Sequence, residues 1–129
     1  MGKIIVPIKV ENAFDLENAR LGNIKPSAVR KIEVEGLVDT GSEFLCLDPT
    51  IIEQLGLTPR GEASIVTANE KSKAKKFSNA WITVLGRDCP GMVLEIHNPK
   101  YKALVGYLIL EELHLIIDPK AQKVIYDPK

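Results

Sequence analysis

The motif Leu-Val-Asp-Thr-Gly-Ser, residues 37–42, places one carboxylate, that of Asp39, directly after an apolar strand. The preceding residues 29–38 alternate between apolar and polar side chains, which is typical of a strand with one buried face. Carboxylates that act in hydrolysis often share one proton, because two like charges about 3 Å apart cannot both ionise. No other aspartate of the chain precedes a threonine, so the motif occurs once. A paired site built on Asp39 therefore requires a second chain, related by a two-fold axis.

The composition indicates a single domain over residues 1–129. A chain of 129 residues is long enough to bury one hydrophobic core and too short for two. Its 17 basic and 17 acidic residues balance, which argues against nucleic acid or an anionic membrane as the main partner. Cys46 and Cys89 are far apart without a neighbouring thiol, so we expect two buried, reduced cysteines and no metal site.

The chain carries no apolar run of the length that a membrane span requires. The stretch Met1–Pro7 is interrupted by lysine and proline and is too short for a secretory core. No segment approaches the roughly 20 apolar residues that cross a bilayer. We therefore expect a soluble, cytoplasmic protein.

Turn residues divide the chain into many short strands and two helices. Asp48 can cap a helix that begins at Pro49 and stops at Gly56, and a second helical stretch covers 107–114. The segment from Asn12 to Pro26 lacks periodicity and is expected to be irregular. The strands are expected at 4–10, with Pro7 at an edge or bulge, and at 29–38, 63–66, 75–80, 81–85, 92–96, 103–105, 115–118 and 124–126, with a loop at 86–91.

This pattern predicts an all-β fold, a closed barrel with two short helices and a hairpin whose polar tip is Thr67-Ala68-Asn69-Glu70. Its segments, in this order and spacing, resemble those of the retropepsin-like aspartic peptidases, the single-domain relatives of retroviral protease, particularly the stand-alone prokaryotic type. The matching segments are Leu-Val-Asp-Thr-Gly at 37–41, Leu-Gly-Leu at 55–57, the hairpin tip, Leu-Val-Gly at 104–106 and the stretch 110–119.

The resemblance implies a closed acid-protease-like barrel, an aspartic endopeptidase activity and a homodimer. Asp39 would be the catalytic carboxylate, one from each subunit. Thr40 would hydrogen-bond across the dimer axis, and Gly41 would permit the tight turn. Ser42 would support the turn, as the serine of two-lobed pepsin-like enzymes supports their carboxylate.

The remaining family segments would frame the substrate. Leu104, Val105 and Gly106 would pack behind the Asp39 turn. Thr67, Ala68 and Asn69 would form a flap that closes over an extended peptide and excludes water. No cofactor or metal is implied, and the partners are a second copy of the chain and a peptide or protein substrate. The strand that joins the two copies would be a terminal one, at 3–10 or 124–126.

Two other functions stay open at this point. A peptide-binding or scaffold module would keep the barrel and the dimer without efficient hydrolysis, since Tyr107-Leu108 follows Gly106 where relatives carry polar bracing residues. Nucleic-acid binding would use the lysines at 71–76, although alternating lysines on a hairpin arm usually form a solvated face. His97 and His114 lack partners at ligand spacing, so zinc is not expected.

Overall fold

The computed structural model describes residues 3–66, 71–98 and 100–128. The described residues form nine strands, most of them short, which is expected for a small barrel. The strands are β1 (Ile5–Asn12), β2 (Lys31–Val38), β3 (Leu45–Leu47), β4 (Thr58–Val66), β5 (Lys71–Val84), β6 (Arg87–Glu95), β7 (Ala103–Val105), β8 (Leu115–Asp118) and β9 (Lys123–Tyr126).

Six of these strands close into a barrel. The main sheet has the order β1-β2-β7-β3-β6-β5-β4, and a further pairing between β1 and β5 closes it, leaving β4 as an outer strand. Strand β1 is antiparallel to β2 from Ile5 to Glu11 and to β5 from Ile8 to Asn12. The predicted all-β, closed barrel is confirmed. Pro7 lies in the part of β1 that pairs with β2 alone, where its missing N–H interrupts no second ladder.

Both predicted short helices are present, and the structure adds a third that the sequence did not predict. The helices are α1 (Ala13–Arg20), α2 (Pro49–Leu55) and α3 (Tyr107–Glu112), and a 3₁₀ turn lies at Pro26–Ala28. Helix α1 falls in the segment expected to be irregular. It buries no residue, so it leaves no apolar periodicity to recognise. Its start is set by Asn12, whose side-chain oxygen accepts the N–H of Asp15 at 2.9 Å.

Helix α2 has the predicted start and end. The side chain of Asp48 accepts the N–H of Thr50 at 3.0 Å, and Gly56 ends the helix with a left-handed backbone, at φ 62° and ψ 38°. The helix buries Ile51, Ile52 and Leu55, as its apolar spacing predicts.

The hairpins are longer and their turns shorter than the sequence indicates. The predicted strands at 75–80 and 81–85 are one strand, β5, with an irregularity in its pairing to β6 between Phe77 and Ala80. The prediction of a loop at 86–91 is wrong, because only Leu85 and Gly86 lie between β5 and β6. Both residues have positive φ, 51° and 81°, which matches the twist of a two-residue hairpin turn.

The barrel is filled by one large apolar core, and a smaller cluster lies apart from it. The large core includes residues of β1, β5 and β6 and all three buried residues of α2. The smaller cluster, which we call the cleft cluster, consists of buried Cys46, Ala74 and Leu94 and the half-buried apolar side chains packed on them: Phe44, Ala63, Ile65, Ile96 and Leu104.

Outside the barrel, β8 and β9 form a separate antiparallel pair, with Leu115 opposite Tyr126 and Asp118 opposite Lys123. Among the described residues each of these two strands has one partner, so the C-terminal hairpin has two open edges. None of the helices in the described part of the chain has the length and apolar character that crossing a bilayer needs.

Because the Cys89 thiol is buried, we expect the free energy of unfolding to decrease as the pH rises through the alkaline range. Burial raises its pKa to about 11, and the negative charges of Glu112 and Asp88 add to the effect. An unfolded cysteine has a pKa near 9.0, so above that pH the unfolded chain loses a proton that the folded chain keeps. The contribution of this thiol is therefore complete below pH 9 and is lost as the pH rises towards 11.

We expect the free energy of unfolding to fall by roughly 2 kcal/mol from this group over that interval. Urea unfolding at a series of alkaline pH values measures the loss. Cys89→Ala removes the thiol and should show a smaller loss over the same interval. Equal losses in the two proteins would contradict the assignment.

Candidate active site

Asp39 is held at the end of β2 by main-chain hydrogen bonds to the residue before β1 and to the last residue of β7. The N–H of Val38 donates to the carbonyl of Ile4 at 2.9 Å, and the N–H of Asp39 donates to the carbonyl of Val105 at 3.0 Å. Strand β7 lies between β2 and β3, parallel to the first and antiparallel to the second. The turn that carries Asp39 is therefore supported from behind by the barrel.

The Asp39 carboxylate is oriented by its own turn. Its Oδ1 accepts the N–H of Gly41 at 3.0 Å, and its main-chain carbonyl accepts the N–H of Ser42 at 3.1 Å. The residue is half-buried, and among the described residues no donor bonds to Oδ2. One carboxylate oxygen is thus fixed, while the other is available to water, to a substrate or to a second carboxylate.

Gly41 serves this turn by its small size. Its φ is not positive, so a left-handed backbone, the usual reason for a glycine in a tight turn, does not explain it. A Cβ at this position would lie 3.2 Å from Oδ1 of Asp39, the oxygen that the Gly41 N–H binds. Glycine therefore leaves the carboxylate uncrowded.

Ser42 faces Phe44 and Cys46. Its hydroxyl donates to the carbonyl of Phe44 at 3.2 Å and lies 3.4 Å from Sγ of Cys46. Burial raises the pKa of the Cys46 thiol, the hydrogen bond between this thiol and Ser42 opposes this, and the negative charge of Asp39 adds to it. The serine hydroxyl thus supports the segment after the turn, and no hydrogen bond joins it to the Asp39 carboxylate.

Thr40 and Glu43 are exposed on the outer side of the turn. The sequence left open whether Glu43 meets an arginine. Among the described residues it forms no ion pair, and the four arginines bind elsewhere: Arg20 to Glu17, Arg30 to Asp15, Arg60 to Ser78, and Arg87 to the carbonyls of Leu113 and His114. Within the described part of the chain, the exposed Glu43 carboxylate, four residues after Asp39, therefore has no cationic partner.

The structure brings the second motif, Leu104-Val105-Gly106, into contact with the first. Leu104 and Val105 pair with Leu37 and Val38 in parallel register. Gly106 lies against the main chain that follows the turn. A Cβ there would be 2.5 Å from the carbonyl oxygen of Glu43 and 2.6 Å from that of Phe44. Only a residue without a side chain permits this approach.

Two residues that the sequence reasoning did not assign hold the same segment. The N–H groups of Tyr107 and Leu108, at the start of α3, donate to the carbonyls of Ser42 at 2.9 Å and Glu43 at 3.2 Å. Relatives were expected to use polar side chains here, whereas this chain uses main-chain amides. Sequence carries no signal for such bonds, because every residue except proline supplies the N–H.

The predicted flap residues Thr67, Ala68 and Asn69 lie outside the described residues, so their position stays a prediction. The arms that lead to them are described. Strands β4 and β5 pair in antiparallel register out to Val66 opposite Lys71. On β5, Lys73 and Lys75 are exposed and Ala74 between them is buried. This alternation is that of a hairpin with one solvated face.

The cleft cluster joins these arms to the Asp39 turn. Phe44 and Cys46 follow the turn, Leu104 belongs to the second motif, and Ala63 and Ile65 belong to β4. Several of these side chains are only half-buried in the single chain. The result is a partly exposed apolar surface between the carboxylate segment and the hairpin arms.

The two histidines do not assemble a metal site. His97 is largely exposed and lies 3.6 Å from Glu95, a contact that is an ion pair only when the imidazole is protonated. In the parts of the chain that the structure describes, no three His, Cys, Asp or Glu side chains gather at a common point.

Comparison with known proteins identifies the family of the chain. No curated protein matches the chain. A family model described as aspartyl protease matches residues 24–109, which is 86 of the 129 residues and includes both motifs that meet at Asp39. Together with the closed barrel, this match places the chain in the aspartyl protease family, among the proteins with a retropepsin-like domain.

Proposed function

We propose that this chain is an aspartic endopeptidase whose active site forms from two copies of Asp39, one from each subunit of a homodimer. The observation that carries the proposal is the Asp39 carboxylate, fixed through Oδ1 by the N–H of Gly41 and backed by Val105 and Gly106. The chain supplies one such carboxylate turn. Two are needed, because the acid and the base of the reaction must act on the same water and carbonyl.

The two carboxylates would have different roles in the reaction. One Asp39, ionised, accepts a proton from the attacking water, while the other, protonated, donates to the carbonyl oxygen of the scissile peptide bond. As the C–N bond breaks, the first Asp39 gives the proton that it took from water to the leaving amine, and the second takes a proton back from a hydroxyl of the gem-diol, which restores the pair. Because the pair holds a single proton, we expect activity to be highest on the acidic side of neutral pH.

The C-terminal hairpin supports a homodimer better than the N-terminal strand does. Over Ile8–Glu11, β1 has a partner on each side, which leaves Ile5–Pro7 and Asn12 with one strand partner. The two strands of the hairpin each keep an open edge among the described residues, and Ile116 and Tyr126 on it are exposed. Of the two terminal strands considered from sequence, the one at 124–126 is therefore the stronger candidate for pairing between subunits.

The substrate would be an extended peptide. Strands β4 and β5 lead to the predicted flap, and an extended segment between flap and floor would form main-chain hydrogen bonds with both. Thr40 would hydrogen-bond across the dimer axis, and Thr67, Ala68 and Asn69 would cover the peptide. The cleft cluster would receive its apolar side chains.

Digestion of a peptide library derived from a proteome tests the proposal. Wild-type protein is incubated with the library from acidic to neutral pH, and new termini are read by mass spectrometry. New termini that appear with wild type and not with Asp39→Asn are expected, most abundant at acidic pH and flanked by apolar residues. If the dimer is present at high concentration and the two proteins give the same termini, the chain is instead a peptide-binding module on this fold.

A further inference from the structure

Arg87, the first residue of β6, contacts both the end of α3 and the C-terminal hairpin, and no other described arginine does so. Its Nη1 donates to the carbonyls of Leu113 and His114, both at 2.9 Å. Its guanidinium also lies 4.3 Å from the centre of the Tyr126 ring, in the geometry of a cation–π contact. The hydroxyl of Tyr126 donates in turn to the carbonyl of Leu85. The start of β6 is thus bonded to the end of α3 and to the C-terminal hairpin.

The two carbonyls that Arg87 binds lie where α3 ends. Leu113 is the residue that closes the helix. His114 follows with a left-handed backbone, φ 54°, that turns the chain into β8. A positive charge at a helix C-terminus binds carbonyls that have no partner within the helix and complements the helix dipole. Arg87 therefore fixes the end of a helix whose other end faces the active site.

That other end is bonded to the Asp39 segment. The N–H groups of Tyr107 and Leu108 donate to the carbonyls of Ser42 and Glu43. The helix that joins these donors to the fixed C-terminus has six residues, Tyr107–Glu112, and is only about 9 Å long. A helix this short moves as one piece, so a shift of its C-terminus is passed to its N-terminal amides.

We propose that Arg87 is a positioning residue for the Asp39 turn, acting through α3. The inference rests on the proposed function only for its effect on catalysis, because the mechanical connection is independent of it. Arg87 touches neither the carboxylate nor the predicted substrate path. Its role is to keep the amides of Tyr107 and Leu108 in register with the segment after Asp39.

The test compares Arg87→Lys with wild type by amide hydrogen exchange. Lysine keeps the charge but loses the planar guanidinium, which stacks on Tyr126 and so holds Nη1 against the two carbonyls. We expect protection of the Tyr107 and Leu108 amides to fall by about tenfold, while barrel amides of β1 and β5 keep theirs. Arg20→Lys, which alters an exposed arginine paired with Glu17 on α1, is the matched control and should leave Tyr107 and Leu108 unchanged.

Two results would overturn the inference. An equal loss of protection in the barrel strands would mean that Arg87 acts on global stability alone, and a loss confined to 113–127 would mean that its effect ends at the C-terminal hairpin. Should Arg87→Lys fail to fold, Tyr126→Leu removes the stacked ring while keeping Arg87, and the same amides are read.

Catalysis gives a second, separable measurement. With a peptide that wild type cleaves, Arg87→Lys should lower kcat by about tenfold and change KM by less than about twofold, because misplacement of a catalytic group affects the reacting state more than substrate binding. Unchanged kcat would contradict the inference. If wild type cleaves nothing, the proposed function fails, and the exchange experiment still decides whether Arg87 controls the turn.

Discussion

Asp39→Asn is expected to abolish peptide cleavage while preserving the fold and the dimer. Asparagine has nearly the same shape as aspartate, and its side-chain oxygen can still accept the N–H of Gly41 that orients the turn. It cannot ionise, so neither subunit can accept a proton from water. We expect kcat/KM to fall by at least about 10³-fold. Kinetics on a cleaved peptide, with circular dichroism and sedimentation for fold and assembly, measure the result.

Asp48→Asn is a matched control for this substitution. Its Oδ2 accepts the N–H of Thr50 at 3.0 Å, so it also orients a turn through the amide two residues further on. It caps α2, outside the two motifs that meet at Asp39 and outside the C-terminal hairpin. We expect activity close to that of wild type. Substantial residual cleavage by Asp39→Asn would remove Asp39 from the mechanism.

Gly106→Ala should lower both stability and activity, and activity by the larger factor. The new Cβ would meet backbone atoms of Glu43 and Phe44 at 2.5 to 2.6 Å, and backbone cannot rotate away as a flexible side chain does. Overpacking of this kind costs about 1–3 kcal/mol of unfolding free energy. Because the displaced segment carries the Asp39 turn, a shift of about 1 Å would reduce kcat by about 10²-fold. Urea unfolding and kinetics are measured on the same preparation.

Gly22→Ala separates the two effects. Gly22 has a left-handed backbone, φ 82°, and no atom within 4 Å of an added Cβ, so alanine there strains the backbone without crowding a neighbour. It should reduce stability and leave kcat unchanged. If Gly106→Ala keeps full kcat despite its stability loss, the contact behind the turn is structural only.

The sequence predicted correctly those features that particular residue types at a fixed spacing determine. The cap at Asp48 and the stop at Gly56 place α2 correctly, because capping is a local interaction. The alternation before Asp39 gives a strand, and the order of the two motifs predicts the barrel in which they meet. These features depend on neighbouring residues or on a whole motif.

The sequence did not predict the features that main-chain geometry or tertiary packing determines. Helix α1 buries none of its residues, so its cap at Asn12 was the only signal. Pro90 and Gly91 indicated a loop, yet both lie within β6, in a part that pairs with β5 alone. The amides of Tyr107 and Leu108, and the contacts of Arg87 with two carbonyls, depend on backbone positions that no side-chain pattern encodes.

The central claim is that two chains complete one active site, and subunit mixing tests it most directly. Wild type is mixed with Asp39→Asn at constant total concentration and allowed to exchange subunits, which mass spectrometry of the intact dimers verifies. Dimers with one intact Asp39 would be inactive, so activity should follow the square of the wild-type fraction and fall to about one quarter in an equal mixture. Activity proportional to the wild-type fraction, about one half in that mixture, would show that each chain works alone and would contradict the account.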